Sequence, residues 1–354
     1  MKYYQKTIII VFLLLQHVLA DAQIINGIVC DEATKLPIAN VYVYLNGTSI
    51  NAITNNSGEF TLNPKSIINT QLVISHLSYE IAMIDRPFDG LPDTLYLVEQ
   101  TQTLDEVTVV ADRFSREQKI RAFREQFLGT SRAARSCTIL NEDDISITYN
   151  MDNHMLRAMS DKPILVVNRY LGYQVSFVLV DFYVQYDMNF VILNKEYITE
   201  AFISVVSFFD DLNPENRSIK RRRDNTYNLS SQFFFKSLAN NTLRDNRFAV
   251  FNKSLPVDHQ QYFATKDSST YKMISIIPDT DIDKVALGYS GPTLSGKISV
   301  LFRRNIRTDI LFTTDTILVD RYGNIDQFDK VFFNGQYGNN RVGDMLPIDY
   351  EPIP

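Results

Sequence analysis

A chain of 354 residues, 45% of them hydrophobic, has room for two domains, or for one small and one large, each closing its own core. Its formal charge of −6 argues against a nucleic-acid partner, and beyond residue 22 no stretch approaches the roughly 18 consecutive apolar residues of a membrane-crossing helix. Residues 1–22 read as an export signal. Lys2 and Lys6 precede an apolar run from Ile8 to Leu15, and Ala20-Asp21-Ala22 supplies the small residues of a cleavage site. The expected mature chain begins at Gln23 and, having shed two lysines and one aspartate, carries −7. An uncleaved anchor is the alternative, for which the apolar run is short. No cysteine follows that run, so a lipid anchor is not expected.

From Ile25 onward short apolar runs alternate between turn signals at Asp31 to Pro37, Asn46-Gly47 and Asn55-Asn56-Ser57-Gly58. Seven strands are expected: Ile25–Val29, Val41–Leu45, Ser49–Thr54, Glu59–Leu62, Gln71–Ser75, Tyr79–Ile84 and Thr94–Val98. That density suits a sandwich of two sheets. Alternation places Val41, Val43 and Leu45 inward and Tyr42 and Tyr44 outward. Gly27, Val29, Asp31, Thr34, Pro37, Val41, Val43, Thr48, Thr54, Gly58, Phe60 and Leu62 make the stretch resemble the carboxypeptidase-regulatory-like domain, a transthyretin-like sandwich that opens many envelope proteins of Bacteroidetes-type bacteria. Asn55 and Asn56 stand where that family usually has aspartate, and Ser78 where it usually has glycine. The resemblance implies a scaffold without chemistry of its own.

Leu104-Asp105-Glu106-Val107-Thr108-Val109 follows. It is similar to a segment of large outer-membrane receptors that serves as, or sits beside, the strand offered to the energising protein TonB, a case of β-augmentation. The plain alternative is a last strand running into a linker, since the residues that remain are too few for a receptor barrel. Residues 113–128 read as a basic amphipathic helix. Ser115 and Gln118 form a capping box, Ile120, Phe123 and Phe127 recur at helical spacing, and Gly129 stands at the C-terminal cap. Its Arg113, Arg116, Lys119, Arg121 and Arg124 either meet a membrane surface or stay in water while the apolar face packs on the next domain.

A second domain is expected from Ser136. Strands are read at Thr138–Leu140, Ile145–Tyr149, Ile164–Arg169, Leu171–Tyr186, Phe190–Leu193, Thr199–Phe209, Tyr271–Ile277, Leu294–Arg303 and Ile310–Val319, with one helix within Asn228–Asn246. Asp187-Met188-Asn189 and Asn194-Lys195-Glu196 fall where hairpin turns belong. Phe123–Gly129, Cys137–Asn141, Asp161-Lys162-Pro163, Leu171-Gly172-Tyr173, Asn213-Pro214 and Leu346–Tyr350 resemble an uncharacterised module that often follows the sandwich in such envelope proteins. The expected architecture is therefore mainly β, or α+β. It comprises a signal at 1–22, a seven-stranded sandwich at 23–101, a linker with a helix at 102–135, and a mainly antiparallel sheet domain with a few helices at 136–354.

The search for chemistry finds little. The histidines beyond the signal, His76, His154 and His259, lie far apart without H-E-x-x-H spacing, so no metal, cofactor or catalytic set is expected. Asp152 and His154 alternate as two residues of one strand face, which falls short of a site. Asp143-Asp144 and Asp210-Asp211 are adjacent carboxylates that point apart in a strand. Gly288-Tyr289-Ser290-Gly291 lacks the spacing of a nucleophile elbow. Cys30 and Cys137 either pair or remain two thiols. Lys220-Arg221-Arg222-Arg223 reads as a solvated loop or as a contact for an anionic partner such as lipopolysaccharide phosphate. The expectation is an exported, non-enzymatic binding or assembly module, periplasmic or at the outer membrane, with an envelope protein or glycan as partner. An accessory of TonB-dependent uptake and an undetected hydrolase are the alternatives.

Overall fold

The computed structural model describes residues 24–100, 113–252, 255–268, 270–277 and 294–352. The export signal, Leu104, Asp105, Glu106, Val107 and Val109, and the Gly288–Gly291 turn lie outside the described residues. Two units emerge: Ile50–Gln100 with the residues up to Tyr44, and Thr101–Pro354 with Leu45–Ser49.

The first unit is a sandwich of seven strands, β1 (Ile25–Asp31), β2 (Tyr42–Leu45), β3 (Asn51–Ile53), β4 (Glu59–Leu62), β5 (Leu72–Ser75), β6 (Ala82–Ile84) and β7 (Thr94–Leu97). One sheet runs β4-β1-β7 and the other β3-β2-β5-β6. Local chemistry explains the turns. Asn55 Oδ1 accepts the N–H groups of Ser57 and Glu59 at 2.9 and 3.0 Å, and Gly58 follows at φ +74. A Cβ on Gly58 would stand 2.5 Å from the Val29 carbonyl, so no other residue fits there. Thr54, buried at 3% exposure, accepts from Val41 N–H at 2.9 Å and donates to Ile38 O at 2.7 Å. Asp31 Oδ1 accepts from the N–H and hydroxyl of Thr34, which hold its carboxyl below the usual range. Val29, Val41, Val43 and Leu45 are fully buried and Tyr42 is half exposed. Tyr44 departs from the expected alternation. It is buried because both faces of β2 are covered at that end, and burial pushes its phenol up to about 12. His76 is a turn residue whose Nδ1 accepts from Ser78 N–H.

In the second unit, the first of two cores joins a helix to a six-stranded sheet. The helix is α1 (Arg116–Phe127), closed by the Ser115–Gln118 capping box. Its strands are β8 (Cys137–Ile139), β9 (Ser146–Asn150), β10 (Met155–Met159), β11 (Ile164–Asn168), β12 (Tyr173–Tyr186) and β13 (Ile198–Asp211). The order is β8-β11-β12-β10-β9 with β13 also on β12, all antiparallel. Phe123 and Phe127 stack at 4.9 Å and reach Phe182 and Phe177. Met155–Met159 was not expected as a strand, and Phe190–Leu193, expected as one, lies in the β12–β13 connection. There Asp187 takes up Asn189 N–H and Phe190 packs on Tyr197 at 4.7 Å.

Helix α2 (Arg217–Tyr227) follows β13, and the second core gathers α3 (Ser231–Ala239) with β14 (Phe248–Asn252), β15 (Leu255–Val257), β16 (Phe263–Ser268), β17 (Tyr271–Ile276), β18 (Gly296–Phe302), β19 (Ile306–Phe312), β20 (Thr316–Val319), β21 (Val331–Gly335) and α4 (Gln336–Asn339). Five strands form one sheet, β15-β14-β18-β19-β21, and three another, β16-β17-β20. The single strand expected at Ile310–Val319 is broken, and its halves belong to different sheets. Phe234 and Phe235 are buried and Phe233 packs on Phe248, so the triple phenylalanine is covered on more than one side. The chain end ties this unit together. Asn168 Nδ2 donates to Gly343 O at 2.9 Å, Gln232 and Asn324 amides both donate to Ile348 O, and Tyr350 donates to Asp224. Cys30 and Cys137 are both free thiols.

Candidate anion-binding surface

The basic run Lys220 to Arg223 lies on α2, not in a loop. Asn216 caps the helix by accepting from Ser218 and Ile219 N–H, and Ile219, Arg223 and Tyr227 form its inward row. The run is therefore divided by the helical period. Arg223, 3% exposed, is used inside the fold: Nη1 and Nη2 donate to the two oxygens of Asp211 at 2.7 Å each. Its Nε donates to Leu171 O at 2.7 Å and Nη2 to Gly172 O at 3.2 Å, while its guanidinium carbon lies 3.8 Å from the Tyr173 ring centroid. Burial by itself raises the Asp211 carboxyl, but the Arg223 and Asn213 hydrogen bonds outweigh it and leave it below its ordinary value. Gly172 sits at φ +70 with Ile219 and Arg223 against it, which suits the Leu171-Gly172-Tyr173 corner to glycine.

The other three cations lie off that inward row. Lys220 lies 3.9 Å from Glu215, and Arg221 is exposed. Arg222 is half-buried, its guanidinium carbon 4.9 Å from the Tyr170 centroid, and Arg132 approaches the same ring at 5.3 Å. The pattern in the sequence did not point to Arg132 or Tyr170, which lie 90 and 52 residues from Arg222. The helix itself carried a signal in Asn213-Pro214 followed by Asn216, with apolar or aromatic residues at 219 and 227.

The remaining candidates are spent locally. His154 occupies a turn at φ +50 with its Nδ1 3.2 Å from Asp187 O, while Asp152 is exposed, so the two do not share a strand face. Asp144 pairs with Lys162 at 3.0 Å and is held low by it, and Asp211 is taken by Arg223. His259 bonds the Asn241 side chain at 2.7 Å. Among the described residues no three His, Cys, Asp or Glu side chains gather as metal ligands. A shallow cleft of about 220 Å³ lies by Phe251, Leu301 and Arg307, where Arg307 and Ser299 are already bonded to Asp309. The surface at Tyr170 can instead hold negative charge.

A seven-stranded sandwich with these turns defines a binding scaffold of transthyretin-like type. Residues 25–109 match the family model of the CarboxypepD_reg-like domain, and the first unit is a domain of that family. No curated protein matches the chain, and no solved structure does. Among the described residues no helix is long and apolar enough to cross a membrane.

Proposed function

We propose that the protein is an exported, non-enzymatic module for binding or assembly in the cell envelope, periplasmic or at the outer membrane. The observation that carries this reading is the CarboxypepD_reg-like sandwich, whose characteristic residues, Asp31, Thr34, Thr54 and Gly58 among them, are spent on its own turns and core. The N-terminal pattern of Lys2, Lys6 and an apolar run closed by Ala20-Asp21-Ala22 supports export. Expression of the full-length chain in its native cell, followed by fractionation and intact-mass analysis, tests it. The expected result is a species beginning at Gln23 in the envelope fraction; a species retaining Met1 in the cytosolic fraction overturns it. A second reading, an accessory of TonB-dependent uptake, is favoured by the match running to residue 109 and so through Leu104 to Val109. A photo-crosslinker at Leu104 should then capture TonB, and its failure alongside a working receptor control would refute that reading.

A further inference from the structure

Arg132 and Arg222 come from different elements and converge on one ring, with guanidinium carbons 5.3 and 4.9 Å from the Tyr170 centroid. Neither guanidinium hydrogen-bonds or ion-pairs with a described residue, and the Arg222 Nε is buried without an acceptor. The Tyr170 hydroxyl also has no partner among the described residues. Arg169, next to Tyr170, is exposed, gives one N–H to Thr138 at 3.1 Å, and makes no ion pair with a described residue. In a chain of formal charge −6, two arginines thus share one tyrosine ring without an ion pair to a described residue.

The platform beneath the cluster is fixed. Tyr170 N–H donates to Ser136 Oγ at 3.0 Å and Leu171 N–H to Asn168 Oδ1 at 2.9 Å, and the Leu171 and Gly172 carbonyls are clamped by Arg223. Arg223 thus anchors the helix that presents Arg222 while holding the corner that presents Tyr170. A site already ordered before its ligand arrives loses less entropy on binding.

We propose that the Tyr170 platform binds a phosphate group, with the forks of Arg132 and Arg222 donating to its oxygens and the Tyr170 hydroxyl adding a third donor. The choice of phosphate over carboxylate follows from the donor count. A carboxylate offers two oxygens in one plane, and one guanidinium satisfies both, as Arg223 does for Asp211. Two forks from separate elements and a hydroxyl call for a tetrahedral acceptor with three or more oxygens and more than one charge. The phosphate can be carried by a soluble molecule or by a lipid headgroup, and the inference does not depend on the envelope reading.

The full mature chain is titrated calorimetrically with inorganic pyrophosphate and, separately, sedimented with phosphatidylcholine vesicles with and without phosphatidic acid. Binding in the first arm alone identifies a soluble phosphate, and in the second alone a headgroup. Arg132→Gln and Arg222→Gln should each weaken the positive arm about tenfold or more, as expected for charge-assisted hydrogen bonds, and the double variant should abolish it. Arg304→Gln removes the same charge from an exposed turn and should change binding less than about twofold. Tyr170→Phe keeps the ring and removes only the hydroxyl; a loss of about fivefold is expected, and it stands in for Arg222→Gln should that variant misfold. No binding in either arm, equal losses for Arg304→Gln and Arg222→Gln, or capture of a glutamate-rich peptide without response to phosphate would each overturn the proposal.

Discussion

Replacing Arg223 by methionine keeps most of the side-chain volume and removes four hydrogen bonds, two to Asp211, one to Leu171 O and one to Gly172 O. Leu171 O loses its donor in a buried corner, at about 1–3 kcal/mol, while Gly172 O keeps the Leu212 N–H at 3.0 Å. Asp211 retains 29% side-chain exposure, so water takes over part of its hydrogen bonding and the total stays within the range of about 3–5 kcal/mol seen when one partner of a buried pair is removed. Asp211→Asn leaves the opposite problem, a cation at 3% exposure facing carbonyls and the Tyr173 ring without a carboxylate at Asp211, and should cost about 3 kcal/mol. With both changes the charge problem vanishes, so the double variant should be more stable than the sum of single effects by about 2 kcal/mol. Urea unfolding followed by far-UV circular dichroism measures this. At a slope of about 3 kcal/mol/M, Arg223→Met shifts the midpoint of the second unit's transition down by about 1 M. A loss below about 1 kcal/mol, or strictly additive single effects, would refute the view that Arg223 is a buried organising charge.

The same pair sets an acid limb. The folded Asp211 carboxyl lies below its unfolded value, so its stabilisation is complete above about pH 4 and disappears as pH falls through the folded value; Asp211→Asn should flatten stability against pH in that window. In the sandwich, Val43→Asp should abolish its cooperative melt because an unpaired charge enters a site of zero exposure, while Tyr42→Asp, half exposed, should cost under about 1 kcal/mol, and equal damage would invalidate the register. Gly58→Ala meets the Val29 carbonyl at 2.5 Å in a left-handed conformation and should cost more than about 2 kcal/mol by thermal denaturation. Burial, with Asp344 nearby, pushes the Cys137 thiol up to about 12, so iodoacetamide at pH 8 should label it in the native chain at least ten times more slowly than after unfolding.

The sandwich was legible because its information is local. Asn55-Asn56-Ser57-Gly58 and the valine alternation at 41–45 dictate turn and face within a few residues, and only Tyr44, covered by packing beyond its own strand, escapes that logic. The second unit was read unevenly. Tyr173–Tyr186 is rich in β-branched and aromatic residues and announces a strand, whereas Met155–Met159, Met-Leu-Arg-Ala-Met, favours helix by composition and is a strand because β9 and β12 pair with it on both sides. Helix α2 was hidden by its own buried arginine, which occupies the inward position between Ile219 and Tyr227 where periodicity looks for an apolar residue. The Tyr170 platform had no local signature at all, since its arginines reach the ring from a turn and a helix far apart in the chain.

Strand β1 is the middle strand of its sheet, yet both its neighbours come later: Ile25 faces Leu62, and Ile28 faces Thr94, 66 residues on. During synthesis at about 5–20 residues per second, the interval from Ile28 to Thr94 lasts on the order of 3–13 s, through which the first strand waits without its parallel partner. Closing so long a loop to form the β1–β7 ladder slows that last step further. The N-terminal strand thus sets an order of assembly: β4 can pair with it once Leu62 has been made, and its sheet closes only when Thr94–Leu97 arrives.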